Sequence, residues 1–307
     1  MHAMFRVLVL IAMVVSLGYA RDVPENLRTL YQSVRARGTC SKRLADGFFA
    51  TDSGPGNFCY CGDQLKSDGI IFIQGEHGSM ADMDIDCDGV LGGPADDGRC
   101  SPARSGDYQG QTAFRPVVQS YGIPDLNTYV HPYVVFGNSG RGGWNTFDPT
   151  KHGIRPLSVM AVICGDKLVY GIWGDTNGDD GPRAMVGEAA ISLATECYGP
   201  KMAGDNGHGG TDVLYIAFAG EDAVPGARGA NWKANNFAEF EESITKLGDS
   251  LVAGVTGDSG AESPPTTVPH RPHGRPHHPH KPDHPPKPHF PPKPLALGRP
   301  PVQRRPN

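Results

Sequence analysis

The sequence predicts a mainly β fold, a barrel or sandwich with a few peripheral helices. Three observations predict it. Short runs rich in β-branched and aromatic residues recur and are closed by Gly or Asn: Gly69–Ile73, Pro132–Phe136 and Val213–Phe218. Leu157–Cys164 and Lys167–Trp173 flank Gly165-Asp166, a two-residue connection suited to a primed hairpin turn. Helical spacing is scarce, and 38% hydrophobic residues supply enough apolar material for one sizeable core.

Taken in order, residues 1–20 read as a secretory signal. Arg6 supplies the positive charge, Val7–Leu17 is an apolar run interrupted only by Ser16, and Gly18 and Ala20 are the small residues before a cut after Ala20. That run is too short to cross a bilayer, so a soluble, extracellular product is expected, with no membrane partner. Pro24–Arg37 carries Leu27, Leu30, Tyr31 and Val34 at the spacing of a short amphipathic helix. Further helices are expected over Glu188–Cys197 and Ala238–Leu247. The body is expected to end near Gly254–Gly260.

Residues 261–307 form a tract of His, Pro, Lys and Arg that should stay extended and polyproline-like, without a core. It reads as a solvated tail or as an adhesive or metal-binding one, whose positive charge grows as His protonates. The expectation for it is pH-dependent adhesion to anionic wall material. It holds eight Lys/Arg against Glu262 and Asp283, a net of +6 inside a chain of net -5, which leaves -11 on the rest. A body of that charge repels nucleic acid and attracts cations.

Export changes how the seven cysteines read, because disulfides become the default in an oxidising compartment. The odd count leaves at least one thiol over. On loop length Cys87 pairs with Cys100; the rest stay open. Cys59-Tyr60-Cys61 is too tight for a zinc knuckle and has no His at ligand spacing, so zinc is not expected.

Three constellations carry candidate chemistry. In Asp82–Gly89, Asp82, Asp84, Asp86 and Asp88 alternate along the chain, so an extended strand would line their carboxylates on one face. Such a row needs a positive counterpart: a metal, Lys/Arg side chains or a cationic ligand. Asp84, Asp86, Asp88 and Gly89 match the first half of a calcium loop, but Ala95 stands where the bidentate Glu belongs, and the motif fails. In Tyr170–Gly178 an apolar strand ends in a polar turn bearing Asp175, and after a Gly-rich loop Glu188 stands at an expected helix start. Two carboxylates from separate elements beside an exposed Trp173 suit glycoside hydrolysis: one acid assists the leaving oxygen, the other activates water or attacks, and the indole stacks on a sugar. Equally, Asp175 is a good turn former and Glu188 a good helix N-terminal acid. In Gly204–His208, Asn-Gly signals a turn whose Asp205 and His208 are structural or contact a ligand. No nucleophile elbow, phosphate loop, dinucleotide fingerprint or zincin helix is present.

Together, Leu44–Phe48, Tyr60–Asp63, Met83–Gly89, Gly110–Phe114, His131–Gly137, Gly171–Gly178, Gly187–Ala189 and Gly204–His208 resemble, in that order, the secreted fungal-type endo-chitosanases of glycoside hydrolase family 75. The resemblance covers roughly residues 24–233. It implies a catalytic domain over residues 21–260 that cuts chitosan internally by inversion, with Asp175 and Glu188 on the motifs of the two essential carboxylates. Trp173, Asn177, Asp84, Asp86, Asp88, Asp205 and His208 are the accompanying substrate-binding candidates; no metal or other cofactor is implied, and a monomer is expected. The order strand, Asp turn, loop, acid, helix is similar to that of double-psi β-barrel glycosidases and lytic transglycosylases. Cys59 is extra to the family pattern, and the tail lies outside it.

The acidic body independently suits a polyamine that is largely protonated in mild acid. Glu188, bracketed by Val186, Ala189 and Ala190, reads as general acid, and Asp175, beside a polar turn, as general base; the reverse assignment stays open. Two rivals remain: a non-catalytic, expansin-like wall-binding protein, and a hydrolase or lyase of peptidoglycan or chitin. The first would need only one carboxylate or none, and the acidic body suits the near-neutral or anionic substrates of the second less well.

Overall fold

The computed structural model describes residues 21–257, apart from 52, 107, 179 and 180; the expected signal segment and tail lie outside the described residues. Arg21–Asp22 forms strand β1, and helix α1 spans Glu25–Arg37. Leu27, Leu30 and Val34 are its buried residues, and Gly38, with a φ of +80°, ends it. Strands β2 (Arg43–Phe48), β3 (Phe58–Cys61), β4 (Ile70–Gln74) and β5 (Ala81–Asp86) follow, then helix α2 (Arg115–Ser120) and strand β6 (Tyr133–Asn138). Strands β7 (Val159–Cys164) and β8 (Lys167–Asn177) form the expected hairpin, in register from Val159↔Ile172 to Cys164↔Lys167. Gly165, at a φ of +66°, supplies the left-handed turn residue.

The expected helix at Glu188 is corrected. Glu188–Ala190 is a strand, β9, and helix α3 begins only at Ile191 and runs to Tyr198. Ala is a strong helix former, yet here β9 lies between two partners, parallel to Asp84–Asp86 of β5 and antiparallel to Val134–Val135 of β6. Pairing on both edges outweighs local propensity. Strand β10 (His208–Phe218) starts five residues before the expected run, and helix α4 (Phe237–Ala253) is longer than expected at both ends. Its N-cap is Asn236, whose side chain accepts from the Glu239 N–H at 3.0 Å while its amide donates to Glu239 Oε1 at 2.9 Å.

The chain is thus mainly β, with few helices around a mixed sheet. The pairings form a circuit, β8–β6–β9–β5–β10–β7 and back to β8, in which β5–β9 and β6–β8 are parallel and the others antiparallel. β4, β3 and β2 extend it from β10, and β1 pairs with β8. Alternate residues of β4 enter two separate hydrophobic clusters: Ile71 and Ile73 one, Ile70 and Phe72 the other. Three disulfides join Cys40–Cys61, Cys87–Cys100 (the expected pair) and Cys164–Cys197. Cys59 is the free thiol, buried and pushed up to about 12 by that burial.

Candidate active site

Strand β6 organises the site. Val135 is in register with Asp175 of β8 on one side and with Glu188 of β9 on the other. Glu188 in turn is in register with Asp84 of β5. Residues paired across neighbouring strands leave the same face of a sheet, so Asp84, Glu188, Val135 and Asp175 form one transverse row. With strands about 4.8 Å apart, Asp175 and Glu188 stand two spacings, ~10 Å, from each other at the backbone.

A one-residue irregularity puts Asp175 in that row. Val134 pairs with Trp173, but the next residue, Val135, pairs with Asp175, so Gly174 is extra on β8. Strict alternation would have sent Asp175 to the same side as Trp173; the bulge turns it to the side of Val135. Gly174 is what fits there, since a Cβ would lie 2.4 Å from Tyr133 Cβ and 2.7 Å from Leu126 Cδ1. Asp175 is only 4% exposed, and its Oδ1 accepts from the N–H groups of Ala113 at 2.8 Å and Thr176 at 2.7 Å.

The alternation expected of β5 holds: Asp82, Asp84 and Asp86 interleave with Ala81, Met83 and Ile85, which enter the core. Asp82 is buried against Gly187, whose φ is +99° and whose missing Cβ would lie 2.6 Å from Asp82 Oδ1. Past the strand end, the Asp88 N–H donates to Asp86 Oδ1 at 2.6 Å, and Asp88 Oδ1 accepts from the Gln109 N–H. Oxygens of Asp86, Asp88 and Asp175 all lie within 4.8 Å of one another, close enough to hold one cation between them. The other such group among the described residues, Cys40, Cys61 and Asp63, has its sulfurs in a disulfide.

Two buried phenols hydrogen-bond to the acidic segment. The Tyr133 hydroxyl lies 2.9 Å from Asp88 O and 3.2 Å from Asp86 Oδ1. Tyr215 donates to Asp82 O at 2.9 Å. Burial pushes both phenols well above their ordinary range, reinforced by Asp86, Asp175 and Asp88 around Tyr133 and by Asp82, Asp84 and Glu188 around Tyr215. Both therefore remain protonated donors.

The remaining sequence-predicted residues fare differently. Trp173 was expected to be exposed; it is 2% exposed, edge-on to Phe114 at 4.8 Å, and its Nε1 donates to Asp175 O at 2.9 Å. It steadies the backbone of Asp175 and offers no open face for a sugar. Asn177 donates from Nδ2 to Met185 O at 3.0 Å, tying the end of β8 to the loop that leads to Glu188. His208 is in register with Met83, one residue out of step with Asp84, and its ring stacks on Tyr198 at 3.9 Å and meets Asp212 Oδ1 at 2.8 Å. Asp205 is exposed on a turn, 3.8 Å from Arg104. Sequence reasoning gave no role to Tyr133 or Gly174, although both fall within the family-like motifs, nor to Tyr215, which stood out only as part of an apolar strand.

Paired acids presented from strands on a disulfide-linked, mainly β body suit cleavage of a glycosidic bond, and comparison with known proteins puts the chain in that class: it is a glycoside hydrolase. A family profile described as fungal chitosanase of glycosyl hydrolase group 75 matches residues 83–254. The chain is 48% identical over 239 residues, 77% of its length and 93% of the relative's, to an endo-chitosanase of Aspergillus oryzae. It is 48% identical over 238 residues, 77% of its length and 92% of the relative's, to an endo-chitosanase of Aspergillus fumigatus. To endo-chitosanase C of Aspergillus oryzae the identity is 34% over 194 residues, 62% of this chain and 43% of that one. The chain belongs to the fungal chitosanase family, glycosyl hydrolase group 75.

Proposed function

We propose that the protein is a secreted, monomeric endo-chitosanase that hydrolyses β-1,4 bonds between glucosamine units with inversion. The observation that carries this reading is the placement of Asp175 and Glu188 on the two strands flanking β6, level with the same residue, Val135. Their ~10 Å backbone separation suits the carboxyl gap of about 6.5–9.5 Å in inverting enzymes, which leaves room for a water on the far side of the ring. A covalent intermediate would need carboxyl groups about 5 Å apart.

Glu188 acts as general acid. Its neighbours Val186, Ala189 and Ala190 are buried, and Asp84 at the adjacent register position makes a proton cheap to hold on that pair. Asp175 acts as general base, its charged form favoured by two backbone N–H donors. A second reading exchanges the roles, supported by the crowding of Asp175 against Asp86 and Asp88. Azide separates the two: it rescues the alanine variant of whichever residue activates water.

Asp84, Asp86 and Asp88 receive glucosamine ammonium groups or stabilise the wall of the cleft, and the -11 of the chain outside the tail draws in the polycation. The six-strand circuit with its two parallel pairs supports a double-psi β-barrel. Three disulfides together with the apolar N-terminal run support secretion. The deciding experiment compares reducing-end release from chitosan, chitin and carboxymethylcellulose. Release from chitosan well above the other two is expected; no turnover of chitosan revives the wall-binding alternative, and preferential release from chitin replaces the substrate.

A further inference from the structure

The burial of Trp173 removes the sugar platform that the sequence suggested and raises the question of which aromatic face remains. The chain has three tryptophans. Trp173 and Trp232 are 2% and 3% exposed, whereas Trp144 is half-buried. Trp144 lies in the connection that leaves the C-terminal end of β6, the strand at the centre of the carboxylate row. From Val135 to the root of that connection at Asn138 is three residues, ~10 Å of strand.

The connection is built rather than merely long. Asn138 and Phe147 exchange two backbone bonds of 2.9 Å across its base, and the Ser139 N–H donates to Asn177 O at the end of β8 at 2.7 Å. Asn145 Nδ2 donates to Gly47 O at 2.7 Å, anchoring the far side to β2. Within it, the Trp144 N–H closes a turn on Arg141 O at 3.1 Å. The indole lies over Gly140, where a Cβ would stand 2.9 Å from Trp144 Cε3. The Arg141 guanidinium sits 5.9 Å from the centre of the ring. The ring is thus held by a glycine, a turn and a cation, on a segment rooted at the strand ends that present Asp175.

We propose that Trp144 is a sugar-stacking residue of a distal subsite, a few glucosamine rings from the bond that is cut. This rests on the chitosanase reading above. The indole gives the apolar face of a pyranose a flat surface, and the Arg141 charge beside it makes that contact one with the ring rather than with its ammonium group. The carboxylates near Asp84 read charge, and this loop reads the sugar face.

The experiment measures KM for glucosamine oligomers from the shortest one cleaved up to the hexamer, in the wild-type chain, W144A and W144F. A stacking contact makes the effect grow with length: W144A raises KM for the hexamer roughly three- to tenfold and leaves the shortest substrate as in wild type, and W144F recovers part of the loss. A shift in the hexamer product pattern accompanies it. Acrylamide quenching, read largely from the one half-buried tryptophan, should fall when hexamer is added to E188Q, and W144F/E188Q should lose that protection. KM values equal to wild type at every length, or raised alike at every length, overturn the inference. A wild-type chain that does not cleave chitosan defeats the chitosanase reading instead, a result visible before any Trp144 variant is made.

Discussion

His131 gives the sharpest link between this fold and acid pH, where a polyamine substrate is charged. It is fully buried beneath α4: Nδ1 accepts from the Asn127 N–H at 2.9 Å, Nε2 lies 3.1 Å from Trp232 O, and the ring meets Phe240 edge-on at 4.9 Å. Burial lowers its pKa from 6.5 to about 4. A histidine held neutral in the folded chain contributes stability that is complete above its unfolded value and is lost as pH falls from about 6.5 towards 4. The full span is worth about 3 kcal/mol, of which about 2 kcal/mol disappears between about pH 7 and pH 5. In H131Q an amide can accept and donate at the same two positions but cannot titrate. Thermal and urea unfolding of both chains should be followed across that range. Wild type is expected to be more stable at neutral pH, and the difference should shrink by about 2 kcal/mol at pH 5, roughly 4–8 °C in relative Tm. A stability difference that stays flat between the two pH values would refute the reasoning.

Other expectations concern the site. G174A must displace Tyr133 or straighten the bulge, so it should cost about 1–3 kcal/mol and lower kcat more than the loss of stability explains, as kinetics on folded protein would reveal. D84N, D86N and D88N, if these residues only bind substrate, should raise KM for chitosan more than they lower kcat, with the wild-type advantage shrinking as salt is added; equal activity on chitosan and neutral chitin fragments would remove that role. R21A leaves Glu241, itself 1% exposed, without its partner at 3.1 Å, and should destabilise the chain by about 3 kcal/mol in urea titrations. C59A, in contrast, removes a thiol outside all three disulfides and should leave their pairing, read by peptide mapping, unchanged.

Much of this protein was legible without coordinates. The β-rich runs, the Gly165-Asp166 hairpin, the Cys87–Cys100 bridge and the alternating acids of β5 follow from local rules: side-chain period, turn chemistry and loop length. So does the negative charge of the chain outside its tail, which is a sum over residues wherever they lie. What only the tertiary structure decided depends on neighbours far along the chain. Glu188 is on a strand because β5 and β6 occupy both its edges, although its own sequence favours a helix. Trp173 is interior because its side of β8 faces one of the two hydrophobic clusters, with Phe114 packed edge-on against it. Asp175 faces the row because Gly174 is left over when β8 pairs with β6, and a single unpaired residue reverses which face every later side chain takes. Such a reversal is set by the partner strand, and no periodicity read along one segment contains it.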